Sequence, residues 1–372
     1  MQFTKSDYVL LHLSLIDGVG PATITRLLDT FSSQDLQDLY HMSAHDIVHR
    51  SAVSLAQAEK IIAGLADVSL IERECQLMRK HEVSWCTISG DQYPRMLKTI
   101  YAPPPVFYWQ GLLPDHQYSV AIVGSRRANQ YGQRVLDTVL PNVIGAGCTI
   151  VSGGAIGIDT MAHRKTLELG GKTIVVLGSG LLHWYPHANK KLFQSLLDHG
   201  NCIMSPFALS TEPLPGNFPA RNRIIAGLTH VTVVVQAAAK SGALITAGYA
   251  LEQGREVLAV PGPIDDLLSE GCHELIAQGA TMVTNAQSIV QVLGVQAHSP
   301  RMPEKSNALD LVEKLPTLGH DQRLLMLCRE PRSTDDLVKE GFEAQGLVEL
   351  LFELQLAGKV DQDVRGRWQA VI

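Results

Sequence analysis

Between residues 119 and 293 the chain repeats one unit: a short apolar run, a glycine-bearing loop, then a helical segment. The runs fall at 120–123, 149–152, 173–177, 202–205, 231–235, 257–260 and 281–283. They are rich in β-branched residues and apolar at successive positions, so both sides of each strand must be buried. Strands of that kind, alternating with helices, fit a parallel sheet covered on both faces. The fold class expected is therefore α/β: an extended Rossmann-like, doubly wound, mostly parallel sheet. Such sheets bind ligands beyond the carboxyl ends of their strands, where helix N-termini and free backbone N–H groups point. The loops at those ends are the ones to search for chemistry.

The flanks differ from this core. "LSLIDGVGPATITRLLDTF" sets a Gly-Val-Gly-Pro turn between two apolar helical stretches, a helix-hairpin-helix pattern, and "VSLAQAEKIIAGL" reads as a second, degenerate copy that closes the helical region near residue 70. The expected organisation is a helical, helix-hairpin-helix or SAM-like domain over 1–88, a connecting segment over 89–118 that includes "YAPPPVFYWQG", the sheet domain over 119–293, and a polar linker over 294–306. The tail, 307–372, offers three helical segments ("DQRLLMLC", "STDDLVKEG", "EAQGLVELLFELQLAG") and a hairpin turning at Arg365-Gly366, which together suggest a winged helix.

Charge narrows the choice of ligand. The formal net charge is −6, which argues against a protein that coats duplex DNA with its whole surface. Residues 1–118 carry 9 basic and 13 acidic groups, 119–293 carry 12 and 11, and 306–372 carry 8 and 12, so any anion is expected at the central domain. The six cysteines show no close pair, which suits a reducing compartment and suggests neither a disulfide framework nor a zinc knuckle. The N-terminal stretch lacks a signal-peptide pattern and no apolar span reaches membrane length, so a cytoplasmic location without membrane contact is expected.

Four loops carry the chemistry. After the run at 120–123 come Gly124, Ser125, Arg126 and Arg127; the later glycines of the dinucleotide fingerprint and the Gly-Lys-Ser/Thr of a P-loop are both missing, so an NAD or ATP site is disfavoured and no cofactor is expected. Two arginines at a strand end and helix entrance suit phosphate, unless they are simply solvated. The second loop, Ser152-Gly153-Gly154, would let backbone N–H groups approach an anion, and the helix after it carries Asp159 and His163 at i and i+4, read as a structural hydrogen bond that holds the loop. His183 and His187 share a spacing that hints at metal, but Pro186 lies between them and metal is not expected.

"LPGNFPARNRIIAGL" is the most informative segment. Phe218 stands beside Arg221, Asn222 and Arg223 at a helix start: an aromatic face for a base and forks for phosphates, which a splayed single strand needs. The competing reading makes Phe218 a core anchor of the loop. Lys240, Ser241 and Gly242 form the fourth loop at the same edge.

In this order, "GSR", "SGGAIGID", "YPHAN", "FPARNRIIAGL", "SGALITA" and "VPG" resemble the DNA-processing protein A (DprA or Smf) family of bacteria, and the likeness extends over essentially the whole chain. The resemblance implies a cytosolic homodimer, without enzymatic activity, that binds single-stranded DNA entering the cell in natural transformation and helps RecA load on it in place of single-strand-binding protein. It makes Arg126 the arginine of the "GSR" phosphate loop and Phe218 the stacking aromatic, with Ser152, Gly153, Gly154, Arg221, Asn222, Arg223, Lys240 and Ser241 around them. The position after "YP", often Lys or Arg in relatives, is His187 here, which implies a weaker, pH-dependent phosphate contact. His273 stands where relatives commonly have Asn, and with Leu275 and Ile276 it marks the edge that the resemblance assigns to dimer and RecA contact. The alternative is a nucleotide phosphoribohydrolase of the lysine-decarboxylase-like (LOG) type. Those enzymes place a catalytic Glu soon after the fourth loop, whereas the first carboxylate here is Glu252, about three turns on. Duplex recognition by the hairpin helices and the wing is a third reading, weakened by the acidic balance of both ends.

Overall fold

The computed structural model describes residues 3–294 except 33, 34, 115 and 116, and residues 324–370 except 326, 329–331, 364 and 365. The chain divides into two compact units, 1–300 and 301–372. The first opens with five helices: α1 (Lys5–Leu15), α2 (Pro21–Leu28), α3 (Ala44–Arg50), α4 (Leu55–Ala66) and α5 (Ser69–Lys80). Thr4, Ser43 and Ser54 start α1, α3 and α4 with capping boxes, which satisfies the first free N–H groups of each. Gly18, at φ 78°, makes the α1–α2 turn possible. The helical region thus runs on to Lys80, past the expected close near residue 70.

Nine strands among the described residues form one sheet: β1 (Ser84–Thr87), β2 (Val106–Gly111), β3 (Ser119–Val123), β4 (Thr149–Ser152), β5 (Thr173–Val176), β6 (Cys202–Ser205), β7 (Val231–Val234), β8 (Glu256–Ala259) and β9 (Thr281–Met282), in the order β1-β2-β6-β5-β4-β3-β7-β8-β9. Every pair from β6 across to β9 is parallel, as the seven apolar runs imply. The antiparallel β1 and β2 correct the expected boundaries. β1 lies inside the segment assigned to a helical domain, and β2 lies in what was read as a connector. Three prolines obscure β2, but they precede its first residue, and Val106, Phe107, Tyr108 and Trp109 are all buried.

Alternation explains why both faces are covered. Val120 and Ile122 pack under α6 (Gln130–Gly145), α7 (Ile158–Glu168) and α12 (Ala286–Val292), whereas Ala121 and Val123 pack under α9 (Asn217–Gly227), α10 (Gly242–Glu252) and α11 (Glu270–Ala277). The remaining helix, α8 (Lys190–Asp198), covers β6 with Phe193 and Leu196. Each such side chain contributes roughly 1.5–3 kcal/mol when fully buried. The chain winds outward from β3 to β6, then returns to β7 on the other side of β3. The order therefore reverses between β3 and β7, and the loops after those strands diverge around a crevice.

The tail unit shows α13 (Thr334–Lys339), capped by Ser333 as expected, α14 (Ala344–Leu356), and an antiparallel hairpin of β10 (Val360–Gln362) and β11 (Trp368–Ala370). The linker beyond Gly294, the start of the tail and Arg365 of the expected turn lie outside the described residues. No helix among the described residues is long and apolar enough to cross a membrane.

Candidate nucleic-acid interface

The loop after β3 is set by a close approach. A Cβ at Gly124 would come within 2.5 Å of Ile158 and 3.0 Å of the Gln236 carbonyl, so only glycine lets this loop lie against the one after β7. Ser125 N–H donates to that carbonyl (2.7 Å), and the Ser125 hydroxyl accepts from Arg127 N–H (3.0 Å). Fixed in this way, the loop leaves the Arg126 and Arg127 side chains exposed ahead of α6, and no ion pair among the described residues neutralises them.

The loop after β4 is built differently. Ser152, Gly153 and Gly154 are buried, and the Ser152 hydroxyl donates to Ile122 O. The N–H groups of Gly153 and Ala155 both donate to Asp159 Oδ2, at 3.1 and 3.2 Å. The anion expected at this loop is thus the protein's own carboxylate. Burial raises the Asp159 pKa, against the pull of the Arg221 charge and the two amides. His163 does not bond Asp159: its Nδ1 meets the Thr173 hydroxyl at 2.8 Å, while Nε2 is buried without a hydrogen-bond partner among the described residues. Burial, helped by the Arg221 charge, holds the His163 pKa down at about 3.

Phe218 is partly buried and partly exposed. One ring edge rests on Gly178, where a Cβ would fall 2.7 Å from it, and the ring is otherwise half-exposed. Its centroid lies 5.7 Å from the Arg126 guanidinium and 5.8 Å from that of Arg221, within cation–π range. The arginines of "RNR" part company. Arg221 is 4% exposed and gives Nη1 to the carbonyls of Gly153 and Val176 and Nε to Asn222 Oδ1. Arg223, two residues on and so on another face of α9, donates to the carbonyls of Tyr101 and Ala102. Arg221 is thus spent inside the protein, and Arg223 is directed to the Tyr101–Ala102 backbone and does not line the crevice at the β3/β7 reversal. Asn222 reaches Gly242 O at 3.4 Å and joins α9 to the start of α10.

A cleft of about 1000 Å³ opens at the β3/β7 reversal, lined by Gly124, Ser125, Arg126, Arg127, Phe218, Arg221, Asn222, Ser241 and Gly242. Lys240 is exposed on the same loop as Ser241, which caps α10 through Ala243 N–H, but Lys240 and His187 do not line the cleft. His187 is exposed in a short 3-10 turn, and no cluster of three metal-ligating side chains occurs among the described residues. The sequence reading passed over Tyr185, 39% exposed and 5.6 Å from Phe218, and the loop after β8 that brings Asp265, Asp266 and Leu267 into the cleft. The signal was present: "VPGPIDDLL" follows a strand of the same sheet and ends at the same edge. Of the residues assigned to the dimer and RecA edge, His273 is tied to Gly262 O (3.0 Å), Ile276 packs on the core and Leu275 is 8% exposed within it, so Leu275 offers no surface.

The model of the DNA recombination-mediator protein A family matches residues 84–294, more than half of the 372-residue chain. The chain belongs to the DNA-processing protein A family. The family match begins at β1, in line with the place of β1 and β2 in the sheet. Among its relatives, Protein Smf of Escherichia coli K12 is 40% identical over 321 residues, 84% of this chain and 83% of that one. The DNA processing protein DprA of Streptococcus pneumoniae R6 is 43% identical over 205 residues, 55% of this chain and 72% of that one. An X-ray structure of DprA from S. pneumoniae superposes with a TM-score of 0.67 at 35% identity, covering 78% of this chain and 98% of that one. The DprA of Helicobacter pylori, whose structure concerns its single-stranded DNA binding mode, gives a TM-score of 0.51 at 30% identity, covering 56% and 95%.

Proposed function

We propose that this chain binds single-stranded DNA in the β3/β7 cleft, with little regard to sequence, and acts as a mediator rather than an enzyme. The observation that carries this reading is the pairing of two unneutralised arginines with the half-exposed ring of Phe218 at one cleft mouth. A phosphate on Arg126 or Arg127 would place its base beside that ring, and every base has a face to stack. Lys240, exposed on a neighbouring loop, extends the cationic path. Family membership supports the rest of the proposal: a cytoplasmic homodimer that receives DNA during transformation and passes it to RecA in place of single-strand-binding protein. Nothing favours the hydrolase reading. Glu252 is the last residue of α10, and a helix of 11 residues sets it about 16 Å from the loop at the other end.

The test is fluorescence anisotropy with labelled oligothymidylate and a matched duplex, on wild type and Arg126→Ala, across a salt series. Preference for the single strand, weakened in Arg126→Ala with a flatter salt dependence, is the expected result. Equal or negligible binding to both would return weight to the nucleotide hydrolase.

A further inference from the structure

Arg126 and Phe218 border two hollows. Besides the β3/β7 cleft they line a smaller pocket of about 120 Å³, whose other walls include Ile156, Tyr185 and Pro186. That is below the roughly 300 Å³ at which sites for whole small molecules begin, and close to the liquid volume of about four waters. It has room for one flat ring whose remainder stays outside.

The walls show what such a ring would meet. Ile156 is 52% exposed, and the partly exposed Tyr185 ring lies 5.6 Å from that of Phe218 at a tilt of 51°, so the two aromatics make a corner rather than a parallel stack. The Tyr185 hydroxyl makes no hydrogen bond among the described residues. The backbone at the pocket is already engaged. Gly153 N–H and Ala155 N–H donate to Asp159, Gly153 O accepts from Arg221, and Ala155 O accepts from the Thr160 hydroxyl (2.7 Å). Pro186 has no N–H to give. The pocket therefore offers ring faces and apolar edges in place of backbone hydrogen bonds, which suits stacking on any base.

Its exposed cation is Arg126, whose guanidinium lies 5.7 Å from the Phe218 centroid and lines both hollows. A phosphate there and a ring in the aromatic corner belong to one nucleotide. We propose that the small pocket is the seat of a nucleobase, with Tyr185 as a second aromatic wall beside Phe218 and Ile156 as an apolar one. This rests on the single-strand reading above and says where the base of the nucleotide on Arg126 goes.

The probes are oligothymidylate and an abasic oligomer of equal length, which keeps the phosphates and lacks the bases. They are titrated by anisotropy at low salt, where phosphate contacts alone retain the abasic strand, against wild type, Tyr185→Ala, Tyr185→Phe, Ile156→Ala and Arg126→Ala. Tyr185→Ala is expected to weaken the oligothymidylate about 10-fold, within the range for one stacked base, and to leave the abasic strand as in wild type. Tyr185→Phe keeps the ring and should bind both strands as wild type does. Ile156→Ala, on the exposed wall, should weaken the oligothymidylate alone by about 3-fold, and it carries the test if Tyr185→Ala does not fold. No loss on the oligothymidylate in the alanine variants, an equal loss on both strands, or a loss in Tyr185→Phe as large as in Tyr185→Ala overturns the inference. The single-strand reading then stands if Arg126→Ala weakens both strands. Failure of wild type to bind either strand overturns the two together.

Discussion

The loops after β3 and β4 leave neighbouring parallel strands, both carry glycine, and both lead into a helix, yet they treat negative charge in opposite ways. The β4 loop folds its backbone N–H groups around Asp159, six residues on from Gly153, with the buried Arg221 as a further positive charge nearby. The β3 loop leaves two arginines exposed, with no carboxylate partner among the described residues. One loop is completed from within and the other awaits something from outside. A glycine-rich turn therefore does not identify an anion site until the carboxylates within a helical turn of it have been placed.

This contrast assigns the second loop to stability and the first to affinity, and five variants test it. The largest effect is expected from Asp159→Ala, which strips the buried Gly153 amide, the part-buried Ala155 amide and Arg221 of their anion. It should lose roughly 3–5 kcal/mol in urea unfolding at neutral pH; a stable variant with weakened DNA binding would break the comparison. Next comes acid. His163 is held neutral in the fold to about pH 3, so its contribution is present above pH 6.5 and is lost as pH falls from there towards 3, by at most about 1.4 kcal/mol per pH unit. His163→Gln should remove that part of the slope, read from unfolding curves between pH 7 and 5. Affinity follows. Phe218→Ala should weaken oligothymidylate binding by about 1–3 kcal/mol with its salt slope unchanged, whereas Arg126→Ala should lower the slope of log K against log salt by about 0.7 while leaving unfolding untouched. The smallest effect on DNA belongs to Arg223→Ala, whose bonds to Tyr101 and Ala102 carbonyls lie outside the cleft. Its loss, on the order of 1–2 kcal/mol, should appear in stability alone.

The sheet was largely legible because burial on both faces leaves a plain mark: all seven apolar runs became parallel strands. β2 escaped because the prolines before it masked the buried run that follows, and β1 because four residues ending a helical region carry too little pattern. The site was legible by composition and less so by role. Arg221 and Arg223 were grouped by proximity in sequence, although a two-residue step on a helix sends side chains to different faces. That signal was available. The fate of Ser152, Gly153 and Gly154 was not, since it depends on Asp159 turning back on its own loop. Leu275 was placed at the dimer and RecA edge by resemblance, which does not say which side of its helix meets the core.

The reversal of strand order has a bearing on assembly. Val120 pairs with Val231, and between them the chain must complete β4, β5 and β6 before β7 can dock. Contacts so distant in sequence form late, because the intervening loop must close before they can stabilise anything. The arginines follow β3 and Phe218 lies on the helix that leads into β7, so under the proposed function a half-folded chain, including one still emerging from the ribosome, has no strand-binding groove to offer. The proposed grip on DNA would then be a property that only a finished sheet acquires.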